Sequence, residues 1–240
     1  MSDLPIEILF IDDQIVVINK PSGLRTLPDG FHPELAHVRF LLEPNFGRLW
    51  IVHRLDKETS GVLLLARSEA AHRSLNNQFA SREIKKEYHA ICSGSPNLDE
   101  WEIDLPLRIN GDRNHRTIVD FENGKPAATS ITVRNRSTSG YGLLSARPRT
   151  GYTHQIRAHL AACGLPIVGD PEYFAKLNSA MMTKLQVVRP NQPFNANRLG
   201  LHAYNISFFH PVTHKECLLQ APYPDDFSLL LNQLNLKGAG

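Results

Sequence analysis

The chain has 240 residues, 42% hydrophobic and 21% charged, with a formal net charge of +2. This is ordinary globular composition with room for a sizeable core in one or two domains, and the charge alone argues for neither a nucleic-acid nor a membrane partner. No apolar run approaches a membrane span, the N-terminus has no basic and apolar leader pattern, and Cys92, Cys163 and Cys217 are too scattered for a disulfide framework or a metal site, which predicts a cytoplasmic protein with reduced thiols and no bound metal.

In chain order, the apolar runs at residues 6–10 and 15–18 flank Asp12-Asp13 and predict a hairpin. Residues 21–30 read as a loop and 32–42 as a helix. Residues 49–52 and 62–66 are apolar runs of strand length. Residues 69–79 place Ala71, Leu75 and Phe79 at helical spacing, predicting an amphipathic helix. Strands are predicted at 87–92, 103–107, 116–121, 128–134 and 142–147, with Asn123-Gly124-Lys125-Pro126 as a turn. Thr150 or Thr153 is the expected cap of a helix running to Cys163, stopped by Gly164; Ile156 and Leu160 face its core while Arg157 projects from its first turns. Residues 189–198 read as an exposed loop, 201–209 and 216–221 as strands, and 227–234 as a last helix. Strands and helices do not alternate regularly, so the expected class is α+β, a mixed but largely antiparallel sheet flanked by helices. Arginines and lysines gather at 82–86, 108–116 and 147–157, which predicts a local basic face on a near-neutral protein.

The segment with chemical content is His53-Arg54-Leu55-Asp56-Lys57-Glu58-Thr59-Ser60-Gly61, set between two apolar strand-like runs. An aspartate there must be solvated, paired or used for chemistry. Read from these residues alone, Asp56 is a turn former bonding its own backbone or a single carboxylate presented for reaction. Asp56 and Glu58 point the same way on an extended segment, but such a pair is too local for the flanking carboxylates of a glycosidase.

The whole segment resembles the signature of the RluA-type family of RNA pseudouridine synthases: His-Arg-Leu-Asp, two variable residues, Thr-Ser-Gly. Asn19-Lys20-Pro21-Ser22-Gly23 resembles the family's first motif, and Lys85-Lys86-Glu87-Tyr88 its tyrosine-bearing strand. The third motif resembles Arg149-Thr150-Gly151-Tyr152-Thr153-His154-Gln155-Ile156-Arg157-Ala158-His159-Leu160, and the C-terminal strands resemble Leu201-His202-Ala203 and Phe209-His210-Pro211. The resemblance spans residues 6–227 and implies one catalytic domain over 1–240, with no accessory RNA-binding domain ahead of the first motif.

The resemblance implies conversion of uridine to pseudouridine in ribosomal or transfer RNA. The base leaves its N-glycosidic bond and returns through C5, a net isomerisation for which no cofactor is expected. Asp56 is the implied nucleophile, Arg157 the cation beside it, and Tyr88 the ring beside the target base. Arg54 is expected to fill the space of a flipped nucleotide. Lys20 and Arg149 are expected RNA contacts. Tyr152 stands where the family usually has arginine; it is expected to stack on a base or bond a phosphate through its hydroxyl. His53 and His154 are expected to orient their neighbours, His154 within the RNA-facing motif. The expected partner is a structured RNA, with neither a membrane nor an obligatory protein partner. Two other classes stay open: a non-catalytic RNA-binding relative, and an RNA N-glycoside hydrolase that would release free uracil.

Overall fold

The hairpin at the N-terminal end forms where the aspartates were expected to turn it. Asp12 Oδ1 accepts from the backbone N–H groups of Gln14 and Ile15 at 2.8 and 2.9 Å, closing the link between β1 (Glu7–Ile11) and β2 (Ile15–Lys20). The computed structural model describes residues 6–173, 184–191 and 194–238. Its further elements are α1 (Val38–Phe46), β3 (Trp50–Ile51), β4 (Ser60–Ala66), α2 (Glu69–Ala80), β5 (Lys85–Ser93), β6 (Glu100–Asp104), β7 (Leu107–Arg108), β8 (Ile118–Val119), β9 (Ala128–Arg136), β10 (Tyr141–Pro148), α3 (Gln155–Ala162), β11 (Leu201–Phe209), β12 (Glu216–Gln220) and α4 (Asp225–Gln233).

The chain divides into two compact units, one of residues 1–86 and 202–224, the other of 87–201 and 225–240. In the first, β2 pairs antiparallel with both β1 and β4, β3 joins β4 antiparallel, β11 joins β4 in parallel, and β12 pairs antiparallel with β11. Alternate residues of these strands, Ile15, Val17, Val62, Leu64, Ile206 and Phe208, pack with Ala71 and Leu75 of α2. Leu75 is wholly buried, which stabilises by about 1.5–3 kcal/mol relative to exposure. Ser68 caps α2 by accepting from Ala71 N–H. In the second unit β5, β10, β9 and β6 are successive antiparallel neighbours. Here α3 packs Ala158 and Ala161 against Leu107, Ala127 and Tyr173. The class is α+β, as expected.

Several boundaries differ from expectation. Helix α1 starts at Val38 rather than residue 32, because Asp29 Oδ1 accepts from Phe31 and His32 N–H and Val38 N–H bonds Arg25 O, holding the preceding chain in turns. The expected strand at 103–107 is two strands, β6 and β7, because Pro106 between them has no N–H for a ladder. The strand expected at 116–121 shrinks to β8, where Thr117 N–H is drawn off to Tyr173 Oη at 2.9 Å. The helix expected at 227–234 starts two residues earlier, at Asp225. Neither Thr150 nor Thr153 caps α3. Its N-cap is His154, left-handed at φ 56° and making no side-chain capping bond, and Gln155 Oε1 instead accepts from Thr150 Oγ1 and Tyr152 N–H of the segment before the helix. Cys92 and Cys163 are buried thiols as expected, whereas Cys217 is half-buried. The expected loop at 189–198 is described except at 192–193, and its described part carries no helix or strand.

Candidate active site

In the first unit the signature forms the connection into β4. Asp56 is half-buried within it, and Arg54 is exposed. The loop after β2 holds this connection by its backbone. Thr26 Oγ1 donates to Leu55 O at 2.8 Å and accepts from Leu55 N–H at 3.2 Å. Ser22 Oγ donates to Glu58 O at 2.8 Å, and Gly23 N–H to Lys57 O at 2.9 Å. The segment closes with Thr59 N–H on Asp56 O at 3.1 Å. Lys20, expected as an RNA contact, is wholly buried instead, and its Nζ donates to the carbonyls of Pro21, Leu24 and Lys57 at 2.9, 2.8 and 3.1 Å. Its ammonium is thus turned inward onto backbone carbonyls rather than toward solvent.

Gly61 ends the segment at φ +112°, between its ladder partners Lys20 and Ala203. A Cβ there would lie 2.2 Å from Ala203 O, a backbone atom that cannot swing away. Gly61→Ala is expected to lower stability by about 3 kcal/mol or more in urea unfolding; a loss under about 1 kcal/mol would contradict the close approach. The preceding Ser60 Oγ lies 2.9 Å from His202 Nδ1, fixing β4 to β11 at the same point.

His53 orients its neighbours as expected. Its Nε2 accepts from Leu64 N–H at 3.0 Å, which requires an unprotonated Nε2, and its ring lies 5.1 Å from that of Phe79. Burial, and then the charge of Lys86, pushes its pKa from 6.5 down to about 3. The unfolded chain therefore binds more protons than the folded one between those values. Stability is full above about pH 6.5 and falls as the pH drops toward 3. A His53→Gln variant, which keeps an acceptor but does not titrate, is expected to show a shallower acid loss of stability between about pH 6 and 4. Identical slopes in denaturant titrations at those pH values would refute the assignment.

The second unit places Tyr88, Arg149, Tyr152, His154 and Arg157. Tyr88 lies on β5, 9% exposed, opposite Ala146 of β10. Its neighbour Glu87 accepts from Ser145 Oγ at 2.5 Å and pairs with Arg147 at 3.1 Å and His89 at 3.3 Å. The His89, Ser145 and Arg147 contacts hold the Glu87 carboxyl well below the usual carboxylate range. Arg157 does not project to solvent: it is 6% exposed. Its Nε and Nη2 form a bidentate pair with Asp170 at 2.7 and 2.8 Å, Nη2 reaches Glu172 at 3.2 Å, and the guanidinium carbon sits 4.8 Å from the Tyr173 ring centroid. Asp170 also accepts from the N–H groups of Glu172 and Tyr173. Desolvation pushes the Tyr173 hydroxyl up to about 12, so it stays protonated beside His154 Nδ1 at 3.1 Å. Asp170, Glu172 and Tyr173 had no signal in sequence reading beyond a short polar stretch after Gly169.

Tyr152 is half-buried against the apolar cluster under α3. Arg149 is exposed and pairs with Glu102 at 3.3 Å. In two of the three basic clusters seen in the sequence, arginines pair with carboxylates of the same chain: Arg108 with Asp120 at 2.7 Å, Arg116 with Asp112 at 2.7 Å, and Arg147, Arg149 and Arg157 as above. Sequence counting saw the cations but not the carboxylates that folding brings to them. Among the described residues no cluster of His, Cys, Asp or Glu is disposed to hold a metal, and no helix is long and apolar enough to cross a membrane.

The chain is an α+β scaffold whose first unit carries the signature on a backbone-pinned connection. Residues 14–162 match the family model described as RNA pseudouridylate synthase. The chain is 36% identical to the dual-specificity RNA pseudouridine synthase RluA of Escherichia coli K12, over 90% of this chain and 92% of that protein. It is 34% identical to the ribosomal large subunit pseudouridine synthase D of Zymomonas mobilis, over 98% of this chain and 74% of that one. The solved structure of human RNA pseudouridylate synthase domain containing 4 superposes with a TM-score of 0.73 at 28% identity, covering 98% of this chain and 95% of that one. The chain belongs to the RluA-type family of RNA pseudouridine synthases and is an isomerase.

Proposed function

We propose that this chain isomerises specific uridines of ribosomal or transfer RNA, with Asp56 as the nucleophile. The observation that carries the reading is the complete signature at residues 53–61, whose one aspartate sits on a connection pinned on both sides. The relatives named above act, by their names, on large-subunit ribosomal RNA or have dual RNA specificity.

In the reaction the N1–C1′ bond breaks and a C5–C1′ bond forms. C5 loses its hydrogen to water and N1 gains a proton, so no redox partner or group donor enters the balance. Asp56 adds to the ribose or the base, or assists formation of a glycal. Tyr88 stacks beside the base or assists the proton transfer, and Arg157 holds the charge of the ionised site. Arg54, exposed two residues before Asp56, takes the place of the extruded nucleotide; a planar cation can stack and bind phosphate at once. Arg149, Tyr152 and His154 form the RNA-facing end of the second unit. The three free thiols fit a reducing cytoplasm. Mapping pseudouridine across total RNA from cells with and without the gene tests the reading. One or a few sites should vanish with the gene, and an unchanged map would count against it.

A further inference from the structure

The basic cluster at residues 82–86 differs from the other two in having no acid to neutralise it. Among the described residues no carboxylate pairs with Arg82, Lys85 or Lys86, nor with Arg54, and the exposed Glu83 between them pairs with none. Arg108, Arg116, Arg147 and Arg149 each have an acid within 3.3 Å. Lys86 is half-buried, and its Nζ lies 5.9 Å from the centre of the Phe79 ring, the same ring that lies 5.1 Å from that of His53. His53 supplies no counter-charge, because its Nε2 accepts from Leu64 N–H and the ring stays neutral. Burial pushes the Lys86 pKa below the ordinary lysine value, as for an ammonium that has lost water without gaining an anion. The aromatic face offsets part of that loss and holds the cation in place beside the residue that precedes Arg54. Arg82 follows the last turn of α2 at φ 61°, with its N–H on Phe79 O at 3.3 Å. A glycine takes that left-handed conformation at less cost, yet the chain keeps an exposed arginine there. A cation at the C-terminal end of a helix favours its dipole, which accounts for Arg82 in part but not for Lys86 on its ring. Lys85, at the start of β5, is exposed as well, and all these residues lie in the first unit.

We propose that Arg82, Lys85 and Lys86 form a phosphate track for the RNA strand that carries the target uridine, with Lys86, seated on Phe79, as its fixed point. This rests on the chain acting on RNA. Cations so closely spaced, and not neutralised by the protein's own carboxylates, suit a polyanion whose charges recur along one strand. A lysine binds phosphate as a point charge, and a partly desolvated one binds it more strongly than one in water. Because such a track holds backbone and does not touch the base, its loss should appear in affinity and salt dependence and not in the chemical step.

The test uses the full chain and a stem-loop transcript bearing a uridine that the wild type converts, labelled with tritium at C5. Lys86→Met keeps a contact with Phe79 through sulfur and removes the charge. Its Kd is expected to weaken about fivefold at about 0.1 M salt, and the slope of log Kd against log salt to fall by about 0.7. Arg82→Gln, Lys85→Gln and Lys86→Met combined are expected to weaken Kd about 100-fold and to take about 2 off the slope. The single-turnover rate of this triple variant at saturating enzyme should stay within about threefold of wild type. Arg73→Gln, which removes an exposed arginine paired with Glu69 at 3.7 Å, is the control and should change neither quantity. A triple variant whose slope falls by less than about 1 overturns the proposal. So does an equal loss in Arg73→Gln, which would reflect net charge alone. A saturated rate lowered more than about tenfold also overturns it, because the cluster would then act in the chemistry. Should the variants at Lys86 fail to fold, the double variant Arg82→Gln, Lys85→Gln decides, since both residues are exposed, and a slope loss below about 0.7 overturns the track. A wild type that neither binds nor converts RNA sinks the proposed function and this inference together; a wild type that converts RNA beside a triple variant that binds it equally well sinks this inference alone.

Discussion

Asp56→Asn is expected to abolish isomerisation while leaving the fold and RNA binding nearly intact. The change is isosteric, and Asp56 is half-buried on a connection held by backbone hydrogen bonds: Leu55, Lys57 and Glu58 carry the bonds to residues 20–26, and Asp56 contributes its carbonyl to Thr59 N–H. Those bonds survive the substitution. An amide is neither a useful nucleophile nor a base, so the chemical step loses its central group. The expected loss in tritium release exceeds about 10³-fold, which is roughly 4 kcal/mol of barrier. The expected Kd for RNA lies within about twofold of wild type. Activity within tenfold of wild type, about 1.4 kcal/mol, would contradict the assignment.

Arg157→Met has a second large effect, of a different kind. Arg157 and Asp170 form a bidentate pair in which the arginine side chain is 6% and the aspartate 0% exposed. Such a pair contributes little net stability relative to an apolar replacement of both partners, because desolvation offsets the attraction. Removing one partner is another matter, since a buried carboxylate is left without its cation. Arg157→Met is therefore expected to cost about 3–5 kcal/mol in urea unfolding, besides lowering turnover. The double variant Arg157→Met, Asp170→Asn should recover part of that stability but none of the turnover, because Asn keeps the Oδ1 acceptor for the Glu172 and Tyr173 N–H groups while shedding the charge. If Arg157→Met unfolds within about 1 kcal/mol of wild type, the clamp is not holding a buried charge.

The contrast between these two residues shows what a sequence can and cannot announce. The signature around Asp56 was legible because nine consecutive residues carry it, and strand-like runs on either side place it in the chain. The core strands were legible for a similar reason, since β2 and β4 are unbroken apolar runs. Lys20 was misread because an exposed and a buried lysine look alike in a sequence, and its acceptors are backbone carbonyls that no residue type reveals. Arg157 was given its place on α3 but not its burial. Its partners Asp170, Glu172 and Tyr173 follow the helix in a polar turn, and nothing in their spacing announces a guanidinium clamp. The α3 cap was assigned to a threonine on propensity. The chain instead puts His154 at the N-cap in a left-handed conformation without a side-chain capping bond, a choice that local preference does not encode. Pro106, by contrast, was a readable strand breaker, and its missing N–H explains the division of β6 from β7.

The most direct test of the account is the fate of the base. Purified full chain is incubated with an RNA carrying the mapped uridine, labelled with tritium at C5 and with carbon-14 in the uracil ring. The account predicts that tritium enters water in step with pseudouridine, that all carbon-14 stays in the RNA, and that digestion yields a nucleoside of unchanged mass. Carbon-14 appearing as free uracil would mean a glycoside hydrolase, and RNA bound with no tritium released would mean a binding protein; either result contradicts the account.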